Sequence, residues 1–402
     1  MFARIVAVLA AVALAPAVAV AQEAQASAPA FDPAVIEGKV ESLTEQYAET
    51  KADVEKLKKL KLSGYIQARF AYLEAVNYNA SATATTTPSQ SGFFIRRGRF
   101  KAAYDADWSQ YVLQLDATTS GLSVKEAYAS IKLPYGLAVD AGLQLFPFGY
   151  EVFTRSSSDL DTLERSRVTR AFLAGEYDLG VALRGKASIV NFKVGLFNGN
   201  GVDSGQLGKD NDQLKDLIGR AWVDMGMLTA GLSGWYGKTK VHARADDKEF
   251  DRNRVAIDAQ LFLDLLPIGG TAVKGEYMWG HTTIGTASGN LGAGANLGSL
   301  TTAAPVPTGS GFYAILLQNI GQPFQLAVKY EQYMPNQTVS ISSPTSTTVK
   351  VQQEVQVAVH AFVGANAKVS AAWYHPVNGE KGAAAPSDPK ADQYILQAQV
   401  KF

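Results

Sequence analysis

Most of the chain alternates between apolar and polar residues with a period of two, from Leu62 to Phe402. The last segment shows the pattern most clearly, because its even-numbered residues are apolar and share one face: Tyr394, Leu396, Ala398, Val400 and Phe402. Its other face is polar from Gln393 to Lys401, except at Ile395. Alternation of this kind predicts β-strands with one apolar and one polar face.

Sixteen segments follow this pattern, at residues 63–77, 92–105, 109–118, 122–133, 137–146, 179–188, 190–198, 216–225, 228–237, 250–264, 271–282, 311–320, 323–334, 349–363, 366–375 and 390–402. Short turns such as 134–136 alternate with longer connections rich in Gly, Ser, Thr and Asn, such as 283–310. Bacterial transmembrane barrels combine such connections with an even number of strands and an apolar exterior. The pattern therefore predicts an all-β fold, a sixteen-stranded antiparallel transmembrane β-barrel over residues 62–402. The terminal Phe402, with Tyr394 on the same face, also resembles the assembly signal of outer-membrane proteins.

The first 61 residues follow other patterns. Arg4, an apolar run from Ile5 to Val20 and a small-residue motif at 19–21 predict a signal peptide over residues 1–21. After an Ala-rich linker, apolar residues recur at alternating spacings of four and three from Ile36 to Leu57. This heptad pattern predicts a short N-terminal coiled-coil helix within a periplasmic segment over residues 22–61. A single amphipathic helix folded against its own chain is the alternative.

Charge and composition narrow the function classes. The 37 basic and 37 acidic residues balance, so nothing predicts a nucleic-acid partner. The chain has no cysteine, which excludes disulfides and thiol catalysis. Its four histidines lack metal-ligand spacing, and no local pattern of Ser, His and Asp predicts a catalytic triad. We therefore expect no cofactor, no metal and no enzyme activity.

The second strand segment carries a basic face. Arg97, Arg99 and Lys101 fall on one side of the strand, about 6.6 Å apart along it, and we call these three residues the basic ladder. Charged residues facing lipid are costly, so the ladder is expected to face the lumen, where it would favour anions. The alternative is that its cations pair with acidic residues of an inward-folded loop, which would brace the wall without giving selectivity. Arg96 has the opposite parity and is expected at the rim or at a contact between subunits, unless a β-bulge turns it inward.

One connection is too long and too charged for an ordinary turn. Residues 147–178, the constriction loop, are expected to fold into the lumen and narrow it, because long loops without secondary structure are usually functional. Its charged candidates are Arg155, Asp159, Asp161, Glu164, Arg165, Arg167 and Arg170. A solvated external loop is the alternative.

Several short motifs in this region occur in a recognisable order. They are Arg96-Arg97, Glu126-Ala127-Tyr128, the GLQLFPFG stretch at 142–149, Ser156-Ser157-Ser158, Leu163-Glu164-Arg165-Ser166 and the GVALRG stretch at 180–185. Together they resemble the phosphate-selective porin O and P family. The resemblance implies a sixteen-stranded trimeric barrel, a coiled-coil leader, an inward third loop and an arginine-lined anion path in which the paired arginines are Arg96 and Arg97. Two positions depart from the family pattern, because Leu145 and Asp140 stand where basic residues are common.

These observations predict a porin in the outer membrane of a Gram-negative bacterium. It would let small hydrophilic solutes diffuse passively, with a preference for anions such as phosphate or related oxyanions. Its expected partners are outer-membrane lipid, small anions and two further copies in a homotrimer, with no nucleic acid. The alternatives are a non-selective general porin, an outer-membrane enzyme and a tether to the cell wall.

Overall fold

The computed structural model of the protein describes residues 33–74, 76–78, 85–87, 89–173, 176–199, 201, 213–240, 249–281, 308–334, 351–378 and 392–402. The predicted signal peptide, the linker that follows it and large parts of the long connections lie outside these residues.

Sixteen antiparallel strands close into one barrel. In chain order they are β1 (Leu60–Leu73), β2 (Gln90–Asp105), β3 (Ser109–Thr118), β4 (Gly121–Lys132), β5 (Ala138–Leu145), β6 (Tyr177–Ala187), β7 (Val190–Phe197), β8 (Asp216–Asp224), β9 (Leu228–Tyr236), β10 (Arg254–Leu266), β11 (Gly269–His281), β12 (Thr308–Ile320), β13 (Phe324–Met334), β14 (Gln352–Val363), β15 (Ala367–Asn378) and β16 (Gln393–Lys401). Each strand pairs with its neighbours in sequence, and β1 closes the barrel by pairing with β16. The predicted sixteen-stranded barrel is therefore confirmed.

The observed strand ends differ from the predicted ones by a few residues. The largest local difference is at the predicted segment 250–264, whose barrel strand begins only at Arg254. Residues Glu249–Asp251 pair instead with Lys238–Lys240 in a separate small hairpin. A second small hairpin joins Val76–Tyr78 to Thr85–Thr87.

The two faces of the strands differ as the alternation predicts. On β16, Leu396 and Val400 are exposed on the outside, whereas Gln397 and Gln399 are buried in the lumen. Ile395, the one apolar residue on the polar face, is buried in an apolar cluster inside the barrel. An apolar exterior around a polar interior is what a transmembrane barrel requires.

The closing seam depends on a glycine. Gly64 exchanges two backbone hydrogen bonds of 3.0 Å with Phe402. A Cβ atom at Gly64 would lie 2.5 Å from the Phe402 ring, so no larger residue fits there without displacing the terminal aromatic side chain.

The described part of the N-terminal unit is the helix α1 (Pro33–Lys58), which extends the predicted heptad segment at both ends. Its apolar seam is exposed, as at Ile36, Val40 and Leu43. The coiled coil stays a prediction. None of the helices among the described residues is long and apolar enough to span a membrane.

The connection between β5 and β6 lies inside the barrel. It contains two short helices, α2 (Tyr150–Phe153) and α3 (Arg167–Phe172). An apolar cluster joins it to the lumenal wall, where the rings of Phe146 and Trp235 have centroids 4.7 Å apart. The backbone N–H of Tyr150 donates to the Glu276 carboxylate of β11 at 2.8 Å. This segment therefore fills part of the lumen.

Candidate functional site

The constriction loop is fixed to widely separated parts of the barrel wall. Asp161 accepts two hydrogen bonds of 2.9 Å from Lys274 of β11. The backbone N–H of Leu163 donates to the hydroxyl of Tyr374 on β15 at 3.1 Å. Contacts to both strands show that the loop extends across the lumen instead of standing outside the barrel.

Glu164 lies at the centre of a cluster of cations from two strands. Its carboxylate is 2.6 Å from Arg69, 2.7 Å from Arg96 and 3.5 Å from Arg97, and we call these four residues the Glu164 cluster. Burial alone would raise the pKa of Glu164, but the charges of Arg97, Arg96 and Arg69, together with the hydrogen bond from Arg96, hold it well below its usual range. One carboxylate thus faces three guanidinium groups, which leaves an excess of positive charge.

A β-bulge explains why Arg96 and Arg97 reach the same carboxylate. Gln67 of β1 lies opposite Arg97, but the next residue, Ala68, lies opposite Ile95, so Arg96 is an extra residue in β2. Adjacent strand residues normally point to opposite faces, and a bulge is the usual exception. The bulge that the sequence-based expectation allowed for is present, and Arg96 lies inside the barrel instead of at a rim or subunit contact.

The basic ladder faces the lumen, and each of its cations has a carboxylate partner. Arg99 is 3.2 Å from Asp116 of β3 and also donates to the Tyr177 hydroxyl at 3.0 Å. Lys101 is 2.6 Å from Glu126 of β4. Arg97 is held by the loop, through Glu164, as the bracing alternative supposed. The partners of Arg99 and Lys101 are wall carboxylates, which the sequence reasoning did not identify.

The remaining acidic candidates of the loop are engaged at its tip. Asp161 is 3.2 Å from Arg155 in addition to its bonds with Lys274. Asp159 forms an ion pair with Lys401 of β16. Burial would raise the pKa of Asp159, but the hydrogen bond and charge of Lys401 bring it below its usual value.

The remaining basic candidates of the loop divide into held and exposed groups. Arg165 is buried and lies 2.7 Å from Glu176. Arg167 contacts Glu354 of β14, with its Nε atom 3.1 Å from the carboxylate. Arg170 is exposed on α3, and no carboxylate of the described residues lies within 4.0 Å of it.

One further cation, Lys125, lines the same wall and was missed by the sequence reasoning. A second bulge makes Lys125 an extra residue in β4, because Gln114 lies opposite Glu126 and Leu115 lies opposite Val124. The Lys125 ammonium lies 5.9 Å from the centre of the Tyr177 ring, and no described carboxylate lies within 4.0 Å of it. Periodicity cannot reveal such a residue, because its position in the alternation assigns it to the other face.

The sequence reasoning also did not identify Asp140 as a carboxylate that forms ion pairs with lumenal cations. It departs from the family pattern, yet it is buried and paired with two cations, Lys193 at 2.9 Å and Arg184 at 3.1 Å. The negative charge of Asp140 is thus outnumbered locally, as that of Glu164 is. Arg184 lies on β6 and Lys193 on β7, so two strands supply cations to this carboxylate.

Two ion pairs on the lumenal face of β2 to β6, Lys101–Glu126 and Arg184–Asp140, are asymmetric in their exposure. The Lys101 side chain is 33% exposed against 8% for Glu126. Arg184 is 43% exposed against 2% for Asp140. A solute in the lumen therefore meets the cation of each pair, with the carboxylate behind it.

No group of His, Asp and Glu side chains among the described residues is arranged to hold a metal ion. His360 instead contacts Ser370 at 2.8 Å and the backbone oxygen of Asp161 at 2.9 Å. It helps to position the loop.

Comparison with known proteins identifies the fold. No protein-family model and no curated protein matches the sequence. Several solved structures are similar, and each similarity covers 85% of this chain. The outer-membrane channel DcaP of Acinetobacter baumannii has 10% sequence identity and a TM-score of 0.58, with 97% of its own chain covered. The OmpF complex with daunomycin from Salmonella typhi has 11% identity and a TM-score of 0.56, with 97% covered, and the anion-selective porin of Comamonas acidovorans has 13% identity and a TM-score of 0.55, with 98% covered.

These similarities define the class of protein. The chain is a transmembrane β-barrel with the fold of outer-membrane porins, and its apolar exterior places it in an outer membrane. At identities this low the likeness concerns the fold alone. Membership of the phosphate-selective porin O and P family stays a prediction.

Proposed function

We propose that the protein is a passive porin of a Gram-negative outer membrane that prefers small anions, with phosphate and related oxyanions as candidate solutes. The observation that carries this proposal is the exposure of the cations Lys101 and Arg184 in front of their buried carboxylate partners. Rings or rows of basic groups lining a lumen favour anions.

The count of charges in the lumen supports the same preference. Three guanidinium groups share Glu164, and two cations share Asp140. Lys125 and Arg170 add cations without a described carboxylate within 4.0 Å. In a narrow, partly desolvated channel such an excess acts with little screening.

The proposed mechanism is diffusion down a gradient, without a cofactor or turnover. The constriction loop narrows the lumen, so solutes pass close to the cations of the wall. Guanidinium groups such as that of the exposed Arg170 bind oxyanions through two parallel hydrogen bonds, which favours phosphate-like geometry over a simple halide.

The N-terminal segment belongs to the same proposal. Residues 1–21 would direct export and be removed, leaving α1 in the periplasm. The exposed heptad seam from Ile36 to Leu57 would join three copies of the chain in a homotrimer as a coiled coil. On an isolated helix this apolar seam would stay exposed to water, which favours such an assembly.

The test is the reversal potential of single channels in a KCl gradient, with and without added phosphate. We expect an anion-selective potential that phosphate alters. Replacing both Lys101 and Arg184 by Gln should lower the anion preference, while Lys132→Gln, at the exposed short-turn end, should leave it unchanged. A cation-selective pore that phosphate does not affect would overturn the anion preference, and the absence of channels would overturn the porin function.

A further inference from the structure

A cavity of about 530 Å³ lies inside the barrel at the end where the strands are joined by short turns. Its walls are the tip of the constriction loop, from Arg155 to Asp161, and the adjoining ends of β10 to β15. Its volume falls within the range of sites for small organic ligands, about 300–1,000 Å³.

The cavity has an apolar wall that faces water. Phe262 and Phe362 are 42% and 39% exposed, although they have the same strand parity as the buried lumenal residues Gln260 and His360. Leu317 of β12 lies in the same wall. Phenyl rings that face water inside a polar lumen gain little from packing on the barrel itself, so an apolar ligand group would bury them favourably.

The same lining supplies a cation without a carboxylate partner, Lys368 of β15, which pairs directly with Phe362 in the register of β14 and β15. No carboxylate of the described residues lies within 4.0 Å of the Lys368 ammonium, and its hydrogen bond to the backbone oxygen of Ser158 is long, at 3.5 Å. The two nearest acidic candidates are already engaged, since Asp159 pairs with Lys401 and Asp161 with Lys274. Lys368 can therefore accept an anionic group from a ligand.

The remaining charges set the orientation of that group. Arg155 lines the cavity beside Asp161 and adds a second cation on the side of the loop. Asp264 lies on β10 among the lining residues, where a carboxylate of a ligand would be repelled. An anionic group is thus drawn toward Lys368 and away from β10.

We propose that this cavity is a binding site for small aromatic carboxylates, with the ring against Phe262 and Phe362 and the carboxylate on Lys368. The site is separate from the cation-lined face of β2 to β6 on which the anion preference rests. The cavity would bind anions that also carry an aromatic ring, whereas the cation-lined face would let the same anions diffuse past. The expected ligand has one carboxylate, because Arg155 and Lys274 already pair with Asp161 and leave Lys368 to bind it, and one ring to cover the apolar wall.

The binding test uses fluorine NMR of 4-fluorophenylacetate with the purified full chain in detergent micelles, corrected for empty micelles. We expect line broadening that saturates. Lys368→Gln should weaken binding about tenfold, the loss of one charge-assisted hydrogen bond. The matched control Lys186→Gln, an exposed lysine near the turn end of β6 that does not line the cavity, should bind as the native chain does.

A second variant tests the rings. Replacing Phe262 and Phe362 by Leu keeps an apolar surface at these exposed positions and should weaken 4-fluorophenylacetate without changing competition by acetate. Equal binding by the native chain and Lys368→Gln would overturn the proposal, as would equal binding of the neutral 4-fluorophenylacetamide. The NMR signal does not depend on ion conduction, so the two proposals can fail separately. A protein that conducts ions without binding 4-fluorophenylacetate contradicts only the proposed binding site. A protein that binds 4-fluorophenylacetate without conducting ions contradicts only the proposed porin function.

Discussion

At the scale of single residues, the Glu164 cluster determines how the loop responds to acid. The docked loop lowers the pKa of Glu164 below its ordinary value, which is about 4.3 in an unfolded chain. At a pH above that ordinary pKa, the ionised Glu164 carboxylate therefore stabilises the docked loop fully. This stabilisation is lost as the pH falls through the lower pKa of the docked state.

We expect single-channel conductance to stay constant from neutral pH down to about pH 4.5, and to change only in stronger acid. Glu164→Gln removes the charge but keeps a side chain of the same shape. At neutral pH, the Glu164→Gln channel should therefore have the same altered conductance that the native channel has in strong acid. A transition of the native channel centred at the ordinary glutamate pKa would contradict the role of the three arginines.

A second prediction at this scale concerns a buried ion pair between two strands of the wall. Arg220 of β8 donates to Asp258 of β10 at 3.0 Å, and both side chains are almost completely buried. Asp258→Ala leaves a buried cation without its partner, which should lower the free energy of unfolding by about 3–5 kcal/mol.

Urea unfolding in lipid vesicles measures this change. The control Asp107→Ala removes a carboxylate at an exposed turn, paired with Lys59, and should leave the free energy of unfolding nearly unchanged. Similar values for the two variants would mean that the Arg220–Asp258 pair contributes no more than a surface pair.

At the scale of elements, the period of two predicted all sixteen strands but not the two bulges. The register of β1 with β2 and of β3 with β4 makes Arg96 and Lys125 extra residues, and both are turned into the lumen. Their inward position depends on pairing with a neighbouring strand, so it cannot be read from one strand alone. The same limit hid the partners of Arg99 and Lys101, which lie on β3 and β4.

The loop offers a direct test at the same scale. Replacing residues 154–163 by a short Gly-Ser linker removes the tip that contacts β11, β15 and β16. The wider lumen should raise single-channel conductance about twofold or more. Circular dichroism should show an unchanged content of strand. Unaltered conductance in a folded variant would mean that the loop does not narrow the path.

At the scale of the whole molecule, the barrel is stable only if its outside is apolar. Leu232 lies in the middle of β9 and is 61% exposed, so it faces the lipid near the centre of the membrane. Leu232→Arg should lower the free energy of unfolding by about 2–4 kcal/mol.

The control is Leu265→Arg at the turn end of β10, on the outward parity of Ile257, where the same charge should cost about 0–1 kcal/mol. Urea titration in vesicles compares the two variants. Equal costs would show that the exterior does not lie across a membrane in the expected way. The class of fold is predictable from sequence for the same reason, since lipid outside and water inside require an alternation that runs along every strand.

The tip of the constriction loop bonds to both strands of the closing seam. Ser157 accepts from Gln67 of β1 at 3.1 Å, and Ser158 accepts from Gln399 of β16 at 3.1 Å. Since these are the first and last strands of the barrel, the loop can complete its bonds only after the two chain ends have met. During biogenesis the loop would therefore dock in the lumen late, once the barrel has closed. In a chain that lacks its last strand, the tip of the loop could not form its bond to Gln399.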